Sequence, residues 1–153
     1  MHALRSKFML WDQSSRVSLL CRIVETVAEK FVALTRRAGA ELAAASGPRD
    51  STLVRHIYDL HVLRGHYDAA KVVTLARMIM RADAESYGHQ FPAYRDDPIA
   101  ETIRAVAGLS GESYGKRYAV FLRDMVYSDE RPAYEAALTT LAELAASLKR
   151  GGG

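Results

Sequence analysis

The segment "VETVAEKFVALTRRAGAEL" (residues 24–42) decides the fold class, because its apolar residues recur every three or four positions. This period is typical of one buried face of an α-helix. The recurring residues are Val24, Val27, Phe31, Leu34, Ala38 and Leu42. Gly47 and Pro48 predict the end of this helix near residues 46–50. The preceding run "RVSLLCRIV" (16–24) is short and apolar, and it fits either a buried strand or an extension of the helix.

The helical period continues to the end of the chain, and no alternation of strand period appears after residue 24. The second helix is predicted to begin after Asp50 or Ser51 and to end at Gly65, and the third to run from about Asp68 to Glu85. The fourth is predicted to begin at Asp97 and Pro98, the fifth after residues 108–111, and the last at Pro132. The predicted inward residues are Leu53, Ile57 and Leu60, then Val72, Leu75, Ile79 and Met80, then Ile99, Ile103 and Val106, then Tyr114, Tyr118, Phe121, Leu122 and Met125, and finally Tyr134, Leu138, Leu141, Leu144 and Leu148. Residues 87–98 are predicted to be a long connection. The sequence therefore predicts an all-α bundle of about six helices over residues 24–149, with an N-terminal segment (1–23) and a flexible tail (150–153).

Composition limits the function classes only weakly. The chain has 153 residues, a formal net charge of +3 and a pI near 9.1, which permits a polyanionic partner without demanding one. The single Cys21 excludes an internal disulfide and a cysteine-based zinc site. No apolar run is long enough to span a bilayer, and the N-terminus lacks the apolar region of a signal peptide, so we expect a cytoplasmic protein without a membrane partner.

Four patterns suggest sites but fit ordinary structure better. The segment "GLSGESYGK" (108–116) lacks the spacing of a phosphate loop and reads as a turn between helices. The five-residue spacing of His56, His61 and His66 does not suit a metal site and favours solvated or capping side chains. The C-terminal apolar stripe is more typical of core than of a partner surface. In the third helix, Asp83 and Glu85 lie on different faces, so they do not suit a shared acid–base site.

Lys30 and Asp59 are the strongest candidates for a site. Each lies among apolar residues of its helix, in "ETVAEKFVALTRR" (25–37) and "RHIYDLHVL" (55–63). Arg55 precedes Asp59 by four residues, so the two share a face. One interpretation is a plain salt bridge within or between the helices, the commoner outcome of such spacing. The other is a cationic ligand for phosphate beside a carboxylate that orients it or activates a hydroxyl.

Three segments together resemble the AbiEii/AbiGii family of nucleotidyltransferase toxins. They are "ETVAEKFVAL" (25–34), "RDSTLVRHIYDLHVL" (49–63) and "YAVFLRDMVYSDERPAYEAALTTLAEL" (118–144). The first resembles a Thr-x-x-Glu-Lys-x-x-x-Leu helix and the second an Arg-His-x-Tyr-Asp-Leu helix, and this pair is fairly specific. The resemblance covers roughly residues 20–149 and implies the helical C-terminal part of such a toxin.

The resemblance implies transfer of a nucleotide from a nucleoside triphosphate, in toxin–antitoxin or phage-defence systems, in some members to tRNA. It also implies Mg²⁺, held by two carboxylates of a Gly-Ser…Asp-x-Asp motif in an N-terminal α/β core. Lys30 would be the ligand of the triphosphate, and Asp59 the base or positioning group. Arg55 and His56 are flanking matches, and Arg37, with Arg36, would contact phosphates or nothing.

The sequence departs from the family in one respect, because no Gly-Ser…Asp-x-Asp precedes Lys30. We therefore expect the chain alone to be inactive and to hold no metal or cofactor itself. Residues 1–23 would be a remnant of the core or a linker to it, with the core lost, excised or on a separate polypeptide. The alternative is a non-catalytic helical module that binds tRNA or another RNA, a nucleotide, or an antitoxin-like protein.

The apolar run near the N-terminus also predicts an interface. Without a core to cover them, several of its residues would form an exposed patch: Val17, Leu19, Leu20, Ile23 and Val24. A homodimer or domain swap built around residues 8–31 would cover this patch, since an isologous interface joins the same surface of both copies. Extension of the first helix, buried on the chain's own bundle, is the competing prediction.

Overall fold

Seven α-helices form the protein in a computed structural model, which describes residues 2–44, 50, 52–89, 91–129 and 131–151, with only the backbone for residues 2–15 and 17. In chain order they are α1 (His2–Ala43), α2 (Leu53–Val62), α3 (Ala69–Tyr87), α4 (Pro92–Asp96), α5 (Pro98–Gly108), α6 (Glu112–Met125) and α7 (Tyr134–Arg150). These described residues contain no strand. The all-α prediction is confirmed.

The helix that the sequence did not predict is α4, which lies within the predicted connection of residues 87–98. Pro92 occupies the first turn of α4, where its missing N–H needs no partner. Tyr94 of this helix is buried and stacks on Phe91, with ring centroids 6.1 Å apart. A single apolar anchor thus holds a helix of five residues, too short for its period to be read from the sequence.

The N-terminal run is part of α1, so the strand alternative for residues 16–24 was wrong and the helical extension was right. The helix α1 continues through residue 23 without a break. The predicted division at this residue, between an N-terminal segment (1–23) and a helical domain (24–149), stays a prediction. Leu19 and Leu20 are 58% and 53% exposed, whereas Ile23 and Val24 pack against the core. The extension therefore covers only the C-terminal part of the predicted patch, and the side chain of Val17 lies outside what is described.

The core forms where α1 packs against α2, α3 and α5, and where α7 packs against α2, α3 and α5. Phe31 and Leu34 of α1 are fully buried there. The leucine stripe of α7 is core, as predicted, because Leu141, Leu144 and Leu148 are buried against these helices. Among the helices described here, none combines the length and the hydrophobicity needed to cross a bilayer.

In two helices the predicted inward face is confirmed only in part, since Tyr114 and Tyr118 of α6 and Val106 of α5 are buried as predicted. Met125 of α6 is 59% exposed, because α6 packs mainly against α2 and α7 at the edge of the bundle. In α5, Ile99 and Ile103 are half-buried. The buried face of α5 is rotated from the predicted one, and it consists of Glu101, Thr102, Ala105 and Val106.

Candidate nucleotide-binding site between α1 and α2

Lys30 and Asp59 meet where α1 and α2 pack together. The Lys30 Nζ donates a hydrogen bond to the Asp59 Oδ2 at 2.8 Å. Farther along α1, the Arg37 guanidinium lies 3.4 Å from the Asp50 carboxylate. From Lys30 to Arg37 the chain runs forward along α1, while the partners run backward from Asp59 to Asp50, so the two helices are antiparallel. We call Lys30, Asp59 and His56 the α1–α2 site.

Buried neighbours fix both charged side chains. Phe31 follows Lys30 in α1 and is fully buried, and Leu60 follows Asp59 in α2 and is fully buried. Because these residues anchor the helices, the charged side chains between them emerge at the rim of the interface. They are 28% and 25% exposed, so the ion pair is shielded from water on one side and remains accessible on the other.

His56 lies one turn before Asp59 on α2 and is half-buried. Its Nδ1 is buried and, among the described residues, has no hydrogen-bond partner. Burial lowers the pKa of this imidazole below its usual 6.5, and the charges of Lys30 and Arg37 lower it further, against the opposing effect of Asp59 and Asp50. The α1–α2 site therefore holds a neutral imidazole near pH 7, which can donate one hydrogen bond and accept another.

We expect the protein to lose stability on acidification below about pH 6.5, because the pKa values of both His56 and His61 are lowered from 6.5 in the folded state. The unfolded chain takes up these protons as the pH falls through 6.5, whereas the folded chain takes them up only at lower pH. The free energy of unfolding, measured by urea titration across this range, should fall with pH. His56→Gln should reduce this dependence, and His66→Gln, a change at an exposed residue, should leave it unaltered. If the wild type and the His56 variant lost the same stability on acidification, the lowered pKa of His56 would be contradicted.

A second group of charges ties the residues before α2 to α1 and α6. Arg117 of α6 forms an ion pair with Glu41 and donates to the carbonyl of Asp50. Hydrogen bonds from Thr52 lower the pKa of the Asp50 carboxyl, and Arg37 contributes. Asp50 was one of the two predicted caps of α2, but the cap position is Thr52, and Asp50 instead shapes the turn before the helix. The other predicted cap, Ser51, lies outside the described residues. Sequence reasoning missed Glu41 and Arg117, because no local spacing links them.

Arg55 and Arg36 do not join the α1–α2 site. Arg55 is exposed and points into a groove beside α6, where it lies near Lys116. Arg55 and Asp59 are four residues apart in α2, yet they have different neighbours, because Asp59 pairs with Lys30 of α1 whereas Arg55 lines the groove beside α6. Arg36 lies 3.7 Å from the Asp83 carboxylate and above the Tyr87 ring, so it links α1 to α3.

The expectation that the histidines are solvated or cap a helix was wrong for His61. His61 is buried, and its Nδ1 lies 2.8 Å from the Thr140 hydroxyl of α7, so it is neither solvated nor a cap. The expectation of a turn for the glycine-rich segment is confirmed, since residues 109–111 connect α5 to α6.

The residues of the α1–α2 site fit a phosphate group but not Mg²⁺. Lys30 and the exposed guanidinium of Arg37 supply cationic donors, and His56 adds a neutral one. Magnesium prefers an octahedron of oxygen ligands, whereas the two described carboxylates beside these cations, Asp59 and Asp50, are already paired with Lys30 and Arg37. In the part of the chain that the structure describes, no group of three His, Cys, Asp or Glu side chains is arranged to hold a metal.

Comparison with known proteins shows a family match. The family model described as nucleotidyl transferase AbiEii toxin, Type IV toxin–antitoxin system, matches residues 19–140, a range that includes Lys30, His56 and Asp59. No curated protein and no solved structure matches the chain significantly.

Proposed function

The chain belongs to the nucleotidyl transferase AbiEii toxin family, and from this premise we propose that it forms the triphosphate-binding side of a nucleotidyltransferase active site. The observation that supports the proposal is the 2.8 Å contact of Lys30 with Asp59. These residues belong to the two family-like motifs, and the fold brings them together with a neutral His56. A salt bridge of purely structural value would not require this third group.

In this proposal, Lys30 contributes a point charge to the phosphates of a bound nucleoside triphosphate. Asp59 holds the Lys30 ammonium in place, and its second oxygen is available to accept the proton of an attacking hydroxyl. The acceptor oxygen bonds to the α-phosphorus, and pyrophosphate leaves with its bonding electron pair. Catalysis of phosphoryl transfer depends mainly on positioning and electrostatic stabilisation, the tasks that this site can perform.

The metal-binding carboxylates must come from a Gly-Ser…Asp-x-Asp core, since this chain's site does not supply them. We propose that such a core faces the α1–α2 site, in the same polypeptide or on another chain. When bound there, Mg²⁺ would neutralise charge on the phosphates. The partners proposed with it are an RNA acceptor and, in keeping with the Type IV toxin–antitoxin family, an antitoxin. The cytoplasm is the proposed location, and a homodimer through residues 8–31 stays a prediction.

A second candidate function is a non-catalytic helical module that binds RNA, a nucleotide or an antitoxin. The observation that favours it is the single carboxylate of the α1–α2 site, already paired with Lys30. Under this alternative, the same cations would hold a phosphate without turnover.

Transfer of a labelled nucleotide to RNA separates the two functions. We expect the chain alone, with Mg²⁺ and any of the common nucleoside triphosphates, to transfer nothing. A fusion of the α/β core of a complete family member to residue 19 of this chain should transfer label. The matched control is the same fusion with both metal-binding aspartates of its core changed to asparagine. Transfer by the chain alone, or none by a folded fusion that binds triphosphate, would refute the proposal.

A further inference from the structure

A groove runs along the outer side of the bundle, between α2 and α6. Its first part has a volume of about 680 Å³ and lies between Arg55 of α2 and Lys116, Val120 and Met125 of α6. A second depression of about 470 Å³ follows beside Val62 and Arg64. The two parts adjoin where the Tyr58 and Phe121 rings meet edge to face, with centroids 5.5 Å apart. We call both parts together the α2–α6 groove, and it is separated from the α1–α2 site by α2 itself.

Cationic side chains occupy both ends of this groove. Arg55 stands at one end, and within the described residues it makes no hydrogen bond or ion pair. Arg64 and Arg131 stand at the other end, where they donate only to the backbone carbonyls of His61 and Val126. Among the described residues, none of these three arginines has a carboxylate partner, so that each can accept an anionic ligand without first breaking an ion pair there. Asp124 is the one carboxylate among the described residues that line the groove.

The middle of the groove is apolar and unusually exposed. Val120, Met125 and Val62 are each about half exposed or more, and Tyr127, just beyond α6, is 93% exposed. Isolated exposed apolar residues are normal, but here Val120, Met125 and Val62 line one groove between two cationic ends. Tyr127 lies in the sequence between Met125 and Ser128, which line the two parts of the groove, and its exposed ring offers a flat face on which a base can stack.

We propose that the α2–α6 groove binds the unpaired end of a single-stranded RNA, with phosphates at the arginines and bases against the apolar middle and Tyr127. Binding of RNA in this groove does not depend on the proposed function. Only the role of the bound strand as acceptor of the nucleotide rests on it. From Arg55 to the end of α2 at Val62 the helix rises roughly 11 Å at 1.5 Å per residue, and Arg64 follows two residues later, a distance that a strand of a few nucleotides spans. Cations that follow the backbone, combined with aromatic stacking, are the usual means of binding single strands.

The charges argue against a second copy of this chain as the occupant. In an isologous contact the same surface meets itself, so the arginines would face arginines with one Asp124 to offset them. A double-stranded RNA is also a poor fit, because paired bases cannot reach the apolar middle. An acidic polypeptide would satisfy the arginines but gain little from stacking on Tyr127.

Fluorescence anisotropy tests the inference on the full chain, with a labelled single-stranded RNA of about six nucleotides as the probe. We expect the single strand to bind at least about tenfold more tightly than the duplex of the same sequence. Tyr127→Ala, which alters an exposed side chain, should weaken binding about tenfold. Arg55→Ala and Arg64→Ala should each weaken binding and reduce the slope of log affinity against log salt by about 0.7.

Two control variants locate the binding. Arg104→Ala removes the same charge from the exposed face of α5 and should have little effect. Lys71→Ala removes a charge from the exposed face of α3 and should also leave RNA binding unchanged. Anisotropy reports on the groove and label transfer by the core fusion reports on the α1–α2 site, so that the two failures can be told apart. The inference is overturned by absent binding, by equal binding of the duplex, by equal losses in the Arg104 or Lys71 variant, or by a polyglutamate peptide that displaces the RNA while Tyr127→Ala has no effect.

Discussion

Replacement of Lys30 by methionine should lower nucleotide transfer by the core fusion about 10²- to 10³-fold, the usual loss when one preorganised charge at a phosphate is removed. Methionine retains the length of the side chain and its packing beside Phe31, so that the change removes only the ammonium. Asp59→Asn should lower transfer as well, because the amide can neither fix the ammonium as firmly nor accept a proton. Steady-state rates of label transfer give both values.

Stability distinguishes this role from that of a plain salt bridge. Since the Lys30–Asp59 pair is a quarter exposed, we expect its loss to change the free energy of unfolding by no more than about 1 kcal/mol. The matched control is Asp83→Asn, which breaks the ion pair between Arg36 of α1 and Asp83 of α3, away from the α1–α2 site. It should leave transfer unchanged. Equal effects of Lys30→Met and Asp83→Asn on transfer would show that the pair has no role in the reaction.

Replacement of Phe31 by alanine should have the largest effect on stability, a loss of about 3–5 kcal/mol in the free energy of unfolding. Phe31 is fully buried where α1 meets the rest of the core, and truncation leaves a cavity that several packed helices cannot collapse to fill. Guanidinium titration followed by circular dichroism measures the loss. In the same protein, Met78→Ala removes a side chain that is mostly exposed and should cost less than about 0.5 kcal/mol.

A loss below about 1 kcal/mol for Phe31→Ala would mean that α1 does not form the centre of the core. It would also weaken the site, because Phe31 is the neighbour that fixes the direction of Lys30.

The sequence by itself determined most of the helices and pointed to the two residues that meet between α1 and α2. The apolar period from Val24 to Leu42 predicted α1, and glycine, proline and acidic residues divided the remainder into helices, apart from α4. Lys30 and Asp59 were predictable because a charge amid buried neighbours of a helix departs from the period, and because both segments resemble family motifs. Helix periods and caps are local properties, so that a single sequence suffices to recognise them.

Only the tertiary structure decided which way the flanking side chains point. Arg55 and His56 are adjacent in sequence, yet Arg55 faces the α2–α6 groove while His56 lies at the α1–α2 site. Neighbours on a helix differ in direction by about 100°, and the rotation of each helix against its partners determines which direction is buried. The same rotation exposed Met125 and buried His61 against Thr140. Arg117 reaches Glu41 across 76 residues of sequence, a contact that arises from the packing of helices and leaves no trace in local spacing.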